Sequence, residues 1–272
     1  MHLTPQQIRH YKEHGYVAGP RVLNDDQIGK LKARIQDILE ERIPFPAHLR
    51  GNAAVQLKNK GNLPVVKVVN IFRRDALFAE LVADETIGSL AHDLLAGPVR
   101  IWEDQLIFKP PHDNQAVLAW HRDYTYWDHV GPADLGTCWI ALDDATIDNG
   151  CIHVIPGSHH WKYNYHRNDV DVEDPNWPLR PENVPHGADV TPVPCEVRAG
   201  HCHFHHCLTL HGSYGNKIDN PRRSYIMHLM PGHTRRTGDN WNERLATVDV
   251  PVGELVQGPQ YPTLVAPTGT QS

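Results

Sequence analysis

Cysteine is scarce in this chain and shows no pairing pattern. The five residues Cys138, Cys151, Cys195, Cys202 and Cys207 are odd in number and include no C-x-x-C. A disulfide framework or a zinc knuckle is therefore not expected, and a reducing cytoplasm fits best. Long apolar runs are also missing, so no segment reads as a membrane span, which needs roughly 18 or more apolar residues. The opening Met1-His2-Leu3-Thr4-Pro5 leads into charged residues without an apolar leader. Positive charge is not in excess: 26 Lys and Arg face 32 Asp and Glu, a net charge of −6. Without a basic stripe to neutralise a phosphate backbone, nucleic acid is not an expected partner. Internal repeats and low-complexity tracts are absent. What remains is a 272-residue chain, 40% apolar, long enough to bury roughly 70–75% of its unfolded surface.

Histidine is abundant, at 20 residues, and it is the commonest ligand for iron, zinc and copper. Its meaning depends on the elements that carry it. Thr4-Pro5-Gln6-Gln7 predicts a helix start, with Thr4 as cap, Pro5 at the first position and Gln7 closing a capping box. Gly15 should stop that helix. Asn24-Asp25-Asp26-Gln27 predicts a second one, with Ile28, Leu31, Ile35, Ile38 and Leu39 at helical spacing and Pro44 and Pro46 ending it. A third helical stretch covers about residues 75–95, broken near Asp84 and closed by Gly97-Pro98. After Pro98, short β-rich runs alternate with Gly, Pro, Asn and Asp. They are Val99–Phe108, Ala116–Trp120, Gly136–Leu142, Cys151–Ile155, Glu196–Val197, Cys202–Leu210 and Arg222–Met230, a pattern that predicts a sandwich or jelly roll. Residues 159–190 are polar and proline-rich and read as a long insertion.

A metal site is suggested by His121-Arg122-Asp123 together with His211. Alternate residues of a strand face one side, so His121 and Asp123 can reach one ion. Two imidazoles and a carboxylate form a facial triad that leaves positions on iron open. With so many histidines an H-x-D triplet arises by chance, and only context gives this one weight. It follows the apolar run Ala116–Trp120. Arg222 stands eleven residues after His211, and its guanidinium fork pairs with a carboxylate through two charge-assisted bonds. Arg223 should face the other way as a solvated charge.

These residues sit within stretches that resemble the phytanoyl-CoA dioxygenase-like enzymes, a family that includes ectoine hydroxylases. The stretches are LTPQQIRHYKEHGYV, WHRDYTYW, CWIALDDATIDNGCIHVIPGSHHW and FHHCLTLHGSYGNKIDNPRRSY. The third is the most recognisable, with its Asn149-Gly150 turn and Pro156-Gly157-Ser158-His159. The resemblance implies a mainly β fold, a double-stranded β-helix (jelly roll, cupin-like) with flanking helices. It implies one domain over residues 1–272, mainly helical over 1–98, with a jelly-roll core at 99–250. It also implies iron(II) on His121, Asp123 and His211, with 2-oxoglutarate as co-substrate and O2 as oxidant. Arg222 and Ser213 match the positions that hold the distal carboxylate, and Trp139, Gln105 and Lys67 match further co-substrate positions. The implied reaction is oxidation, usually hydroxylation, of an unactivated C–H bond in a small molecule, with release of succinate and carbon dioxide.

Tyr126 and Trp127 follow the H-x-D and are expected at the substrate side. His201, His203, His205 and His206 resemble a metal cluster, but no matching carboxylate or cysteine spacing follows, so they read as polar strand residues or as supports for the metal ligands. The insertion at 159–190, with Trp161, Tyr163, Tyr165 and Trp177, is expected to act as a lid. Two other readings stay open: a regulatory protein that binds iron and 2-oxoglutarate without turnover, and a cupin-type metal enzyme of another reaction class, such as a zinc hydrolase. Halogenation is set aside, because halogenating relatives replace the carboxylate ligand with a small residue and Asp123 is present.

Overall fold

The computed structural model describes residues 1–43, 66–95, 97–162, 169, 171, 174–239 and 248–264. Helix α1 (Pro5–His14) carries the predicted capping box of Thr4 and Gln7 and ends at Gly15, whose φ of 81° lies in the left-handed region that glycine tolerates. Helix α2 (Asp25–Leu39) is capped by Asn24 and Gln27 and buries Ile28, Leu31, Ile35 and Ile38. It ends before Pro44 and Pro46, which lie outside the described residues. The third stretch is two helices, α3 (Ala76–Val82) and α4 (Glu85–Leu94). Asp75 caps the first and Asp84 the second, so the expected break occurs at Asp84.

The strands are β1 (Tyr16–Arg21), β2 (Val66–Val69), β3 (Val99–Lys109), β4 (Leu118–His121), β5 (Val130–Gly131) and β6 (Gly136–Ala141). They continue with β7 (Ile152–Val154), β8 (Val193–Cys195), β9 (His201–His206), β10 (His211–Ser213), β11 (Arg222–Pro231) and β12 (Arg235–Arg236). They form a six-stranded sheet in the order β1-β9-β6-β11-β3-β2, a four-stranded sheet β4-β10-β7-β8 and the small pair β12-β5. Every pairing is antiparallel. The two larger sheets line a shared cavity, the arrangement of a double-stranded β-helix.

Period-2 alternation explains the layering. On β11, Tyr225, Met227 and Leu229 join Leu106 and Phe108 of β3 and Cys138 and Ile140 of β6 in the core shared with the helices. The residues between them, including Ile226, His228, Gln105, Ile107 and Trp139, face the cavity. All five cysteines are buried and free, which agrees with the expected lack of disulfides.

Besides its helices, the N-terminal part carries β1 and β2, which form the two edges of the large sheet. Two expectations need correction. The run Cys202–Leu210 is not one strand. It splits into β9 and a turn before β10, because His206 accepts from Leu208 N at its Nδ1 and its backbone carbonyl takes Thr209 N. The run Glu196–Val197 provides only an isolated bridge, Val197 to Ala145, and the neighbouring strand is Val193–Cys195.

Candidate metal centre and co-substrate site

β10 places His211 opposite His121, the last residue of β4. Asp123 is not on that strand. It opens a 3-10 turn, Asp123–Tyr126, so the chain bends, rather than alternates, to bring the carboxylate inward. Asp123 Oδ1 lies 3.7 Å from His121 Nε2 and 3.6 Å from His211 Nε2. The three ligand atoms lie within 4.8 Å of one another. His121 Nδ1 donates to Ala119 O at 2.7 Å and His211 Nδ1 to Thr209 O at 3.0 Å. A carbonyl only accepts, so each Nδ1 carries the hydrogen and each Nε2 presents a lone pair. Burial, more than any neighbour, pushes both imidazoles down to about 4, keeping them neutral and able to ligate.

Asp123 Oδ2 faces away from the two imidazoles. It accepts from Thr137 Oγ1 at 2.7 Å and from His205 Nε2 at 3.2 Å. Burial alone would raise this carboxyl, yet His211, His205 and His228 hold it well below the ordinary range. Thr137 in turn lies 2.9 Å from His228 Nδ1. Strand register explains this support. Glu103 of β3 pairs with His228 of β11, His228 with Thr137 of β6, and Thr137 with His205 of β9. One row across four strands therefore lies behind the carboxylate. His205 fits the expected reading of the histidine cluster as ligand support.

Arg222 opens β11 and is 1% exposed. Its Nη1 donates to Ser224 Oγ at 3.0 Å and its Nη2 to Gly150 O at 2.8 Å, while Nε has no partner. The guanidinium sits 5.4 Å from the ring centre of Trp139. Burial pulls it down to about 10, still charged at neutral pH. Gly150, at φ 81°, lets the backbone of Tyr214 pack against it, since a Cβ there would lie 2.3 Å from Tyr214 O. Lys109, directly opposite Arg222 in register, donates to Ser213 Oγ at 2.6 Å and to Tyr214 O. Burial, followed by Arg222, lowers it to about 6.

The ten candidate metal, co-substrate and substrate residues line one cavity of about 400 Å³: His121, Asp123, His211, Arg222, Ser213, Trp139, Gln105, Lys67, Tyr126 and Trp127. Gln105 donates to Glu103 at 2.7 Å. Lys67 lies near Glu103 and Asp123, which oppose the lowering that burial imposes on it. Tyr126 stands edge-on to His121, and Trp127 is buried edge-on to His228. Arg223 is not a solvated charge as expected. It forms a two-bond pair with Asp143, at 2.7 and 2.9 Å, on the opposite face from Arg222. Sequence reasoning missed Thr137, Glu103, His228 and Lys109. Inward alternation on their strands was readable, but the register that aligns them was not. Of the insertion, Asp171 and Asp174 line the cavity, Pro175 O accepts from Trp120 N, and Trp161 and Leu179 pack on Trp120. Tyr163 and Tyr165 lie outside the described residues.

Residues 11–224 match the family described as phytanoyl-CoA dioxygenase. The chain belongs to that family. It is therefore an enzyme of the iron- and 2-oxoglutarate-dependent dioxygenase class. The L-proline trans-4-hydroxylase of Streptomyces griseoviridis is 32% identical over 153 residues, 55% of this chain and about half, 53%, of that enzyme. The ectoine dioxygenase of Stutzerimonas stutzeri strain A1501 is 24% identical over 84% of this chain and 76% of its own length. Among solved structures, the non-haem alpha-ketoglutarate-dependent carbocyclase SnoK from nogalamycin biosynthesis overlays with a TM-score of 0.72 at 24% identity, covering 97% of both chains. That likeness speaks to the fold of this dioxygenase. Among the described residues, no helix is long and apolar enough to cross a membrane.

Proposed function

We propose that His121 Nε2, His211 Nε2 and Asp123 Oδ1 hold iron(II), that Arg222, Ser213 and Lys109 hold the distal carboxylate of 2-oxoglutarate, and that the enzyme hydroxylates an unactivated C–H bond of a small molecule. The observation that carries this reading is a neutral-imidazole and carboxylate triad in the same cavity as a buried guanidinium whose Nε has no partner. The donor set fits iron(II), which takes imidazole and carboxylate and leaves positions for co-substrate and oxygen. The orphaned Nε of a guanidinium that stays charged fits a carboxylate. Bound iron(II) and 2-oxoglutarate supply oxygen activation, with release of succinate and carbon dioxide.

The chain's own groups prepare that chemistry. The carbonyls of Ala119 and Thr209 fix the imidazole tautomers, so no proton must leave before the metal arrives. Thr137 and His205 occupy Oδ2 of Asp123 and leave Oδ1 to the metal. Lys109 Nζ donates to Ser213 Oγ, so the single hydroxyl hydrogen of Ser213 is available to an anion in the cavity. Trp139 shields the Arg222 guanidinium, which strengthens its attraction for a carboxylate by excluding water. The test is anaerobic loading with iron(II) and 2-oxoglutarate, then exposure to oxygen with a panel of small metabolites. Succinate output stimulated by one of them supports the reading. Failure of the loaded protein to bind 2-oxoglutarate refutes it.

A further inference from the structure

At the metal side of the cavity lies a pair of hydrogen-bond acceptors that the co-substrate reading does not use. Glu103 is 2% exposed and lines the cavity, yet its Oε2 has no partner. Among the described residues its Oε1 accepts only from Gln105. Beside it, His228 Nε2 lies 3.7 Å from Oε1 and also has no hydrogen-bond partner. Donor counting fixes what that ring nitrogen is. Thr137 has one hydroxyl hydrogen and gives it to Asp123 Oδ2, so it must accept from His228 Nδ1. The neutral ring then shows a lone pair at Nε2. With Glu103 ionised, two acceptors converge on one spot with no donor between them among the described residues, which costs free energy unless a ligand supplies N–H groups.

We propose that Glu103 and His228 receive a protonated amine on the substrate, so that the enzyme oxidises a small amine or amino acid. The place is right for substrate rather than co-substrate. Arg222 and Glu103 both line the cavity but stand six residues apart along the β3–β11 pairing, about 20 Å. His228 Nδ1 lies 3.8 Å from Oδ2 of the ligand carboxylate Asp123, and an amine held at Glu103 and His228 shares one cavity with the metal triad. The charges agree. Lys67 is the neighbour that most favours the Glu103 carboxylate, yet burial outweighs it and raises the group to about 7. An ammonium supplies the missing positive charge, with two or more hydrogens for both acceptors. Trp127, edge-on to His228 at 4.6 Å and part of the cavity wall, adds an aromatic surface of the kind that attracts cations.

This inference rests on the proposed co-substrate site, and its test keeps the two apart. Iron-loaded enzyme with 2-oxoglutarate and oxygen is given free primary and secondary amines and amino acids, each beside its N-acetyl derivative, and succinate is measured. At least one free amine should stimulate succinate release while its acetylated partner does not. Glu103→Gln should raise KM for that amine by about tenfold or more, while the 2-oxoglutarate Kd by titration stays within about twofold. If Glu103→Gln does not fold, Glu103→Asp takes its place. It should raise KM while keeping the preference for free over acetylated amine. The proposal is overturned if no amine stimulates, if acetylated partners stimulate equally, or if the Glu103 variant leaves KM unchanged. If the wild-type protein does not bind 2-oxoglutarate at all, the underlying co-substrate reading fails instead.

Discussion

Replacing Arg222 with leucine separates the anchor's role in binding from its role in folding. Burial lowers the guanidinium from 12.5 to about 10, so keeping it charged with no anion present costs roughly 3 kcal/mol. The substitution removes that cost. It also removes the bonds to Gly150 O and Ser224 Oγ, worth about 1 kcal/mol each, and strands a buried carbonyl. The two effects nearly cancel, so thermal stability without ligand should change by about 1 kcal/mol or less. Ligand binding has no such offset. A charge-assisted bond to a carboxylate is worth about 1.5–3 kcal/mol, so 2-oxoglutarate affinity should fall about 100-fold. Titration calorimetry under anaerobic conditions measures it. The control is 2-oxobutyrate, which keeps the keto acid and lacks the distal carboxylate. It should bind wild-type and variant alike. A variant that keeps its 2-oxoglutarate affinity, or loses both ligands equally, would refute the anchor.

Arg223→Ala should leave that affinity unchanged but lower stability by about 1 kcal/mol, because Arg223 and Lys32 both hold Asp143 and so tie α2 to β11; chemical denaturation reads this. Lys109→Met should weaken 2-oxoglutarate binding about tenfold by freeing the Ser213 hydroxyl to turn away, and Lys109→Gln, which still donates, should restore part of it; unchanged KM for 2-oxoglutarate in both excludes the role. Thr137→Val should lower iron affinity by about 10–100-fold with the fold intact, as metal titration with circular dichroism can show. Burial, then neighbouring histidines, pushes His206 down to about 3, and burial pushes His159 down to about 4. The unfolded chain therefore takes up protons first. Stability should be full above about pH 6.5 and decline as pH falls toward 4, and His206→Asn should flatten that slope in thermal melts.

Local chemistry was legible in the sequence, and long-range register was not. The capping residues Thr4, Asn24 and Asp84 and the alternation of Arg222–Met230 announced their elements through nearest-neighbour effects. The triad and Arg222 emerged because two residues in one triplet, a distal histidine and a following arginine carry the chemistry on short stretches. Asp123 reached its place by a different route from the expected one, a 3-10 turn in place of strand alternation. Lys109 lay one residue past the β-rich run Val99–Phe108 and gave no local sign that β11 would set it opposite Arg222. Glu103, Thr137, His205 and His228 come from four separate strands, and only the pairing of those strands aligns them. Arg223 illustrates the reverse error: an adjacent charge read as solvated is in fact held by Asp143, 80 residues earlier in the chain.

The central claim is that His121, Asp123 and His211 hold one iron(II) and that turnover depends on it. The direct measurement is iron content and succinate formation in wild-type protein and Asp123→Ala, each reconstituted anaerobically with iron(II) and 2-oxoglutarate and then exposed to oxygen. Asp123 is the only anionic member of the triad, so its loss should cost both iron binding and succinate release. The account predicts about one iron per chain and succinate formation in the wild type, with neither in the variant. Full iron content and undiminished succinate from Asp123→Ala would contradict it.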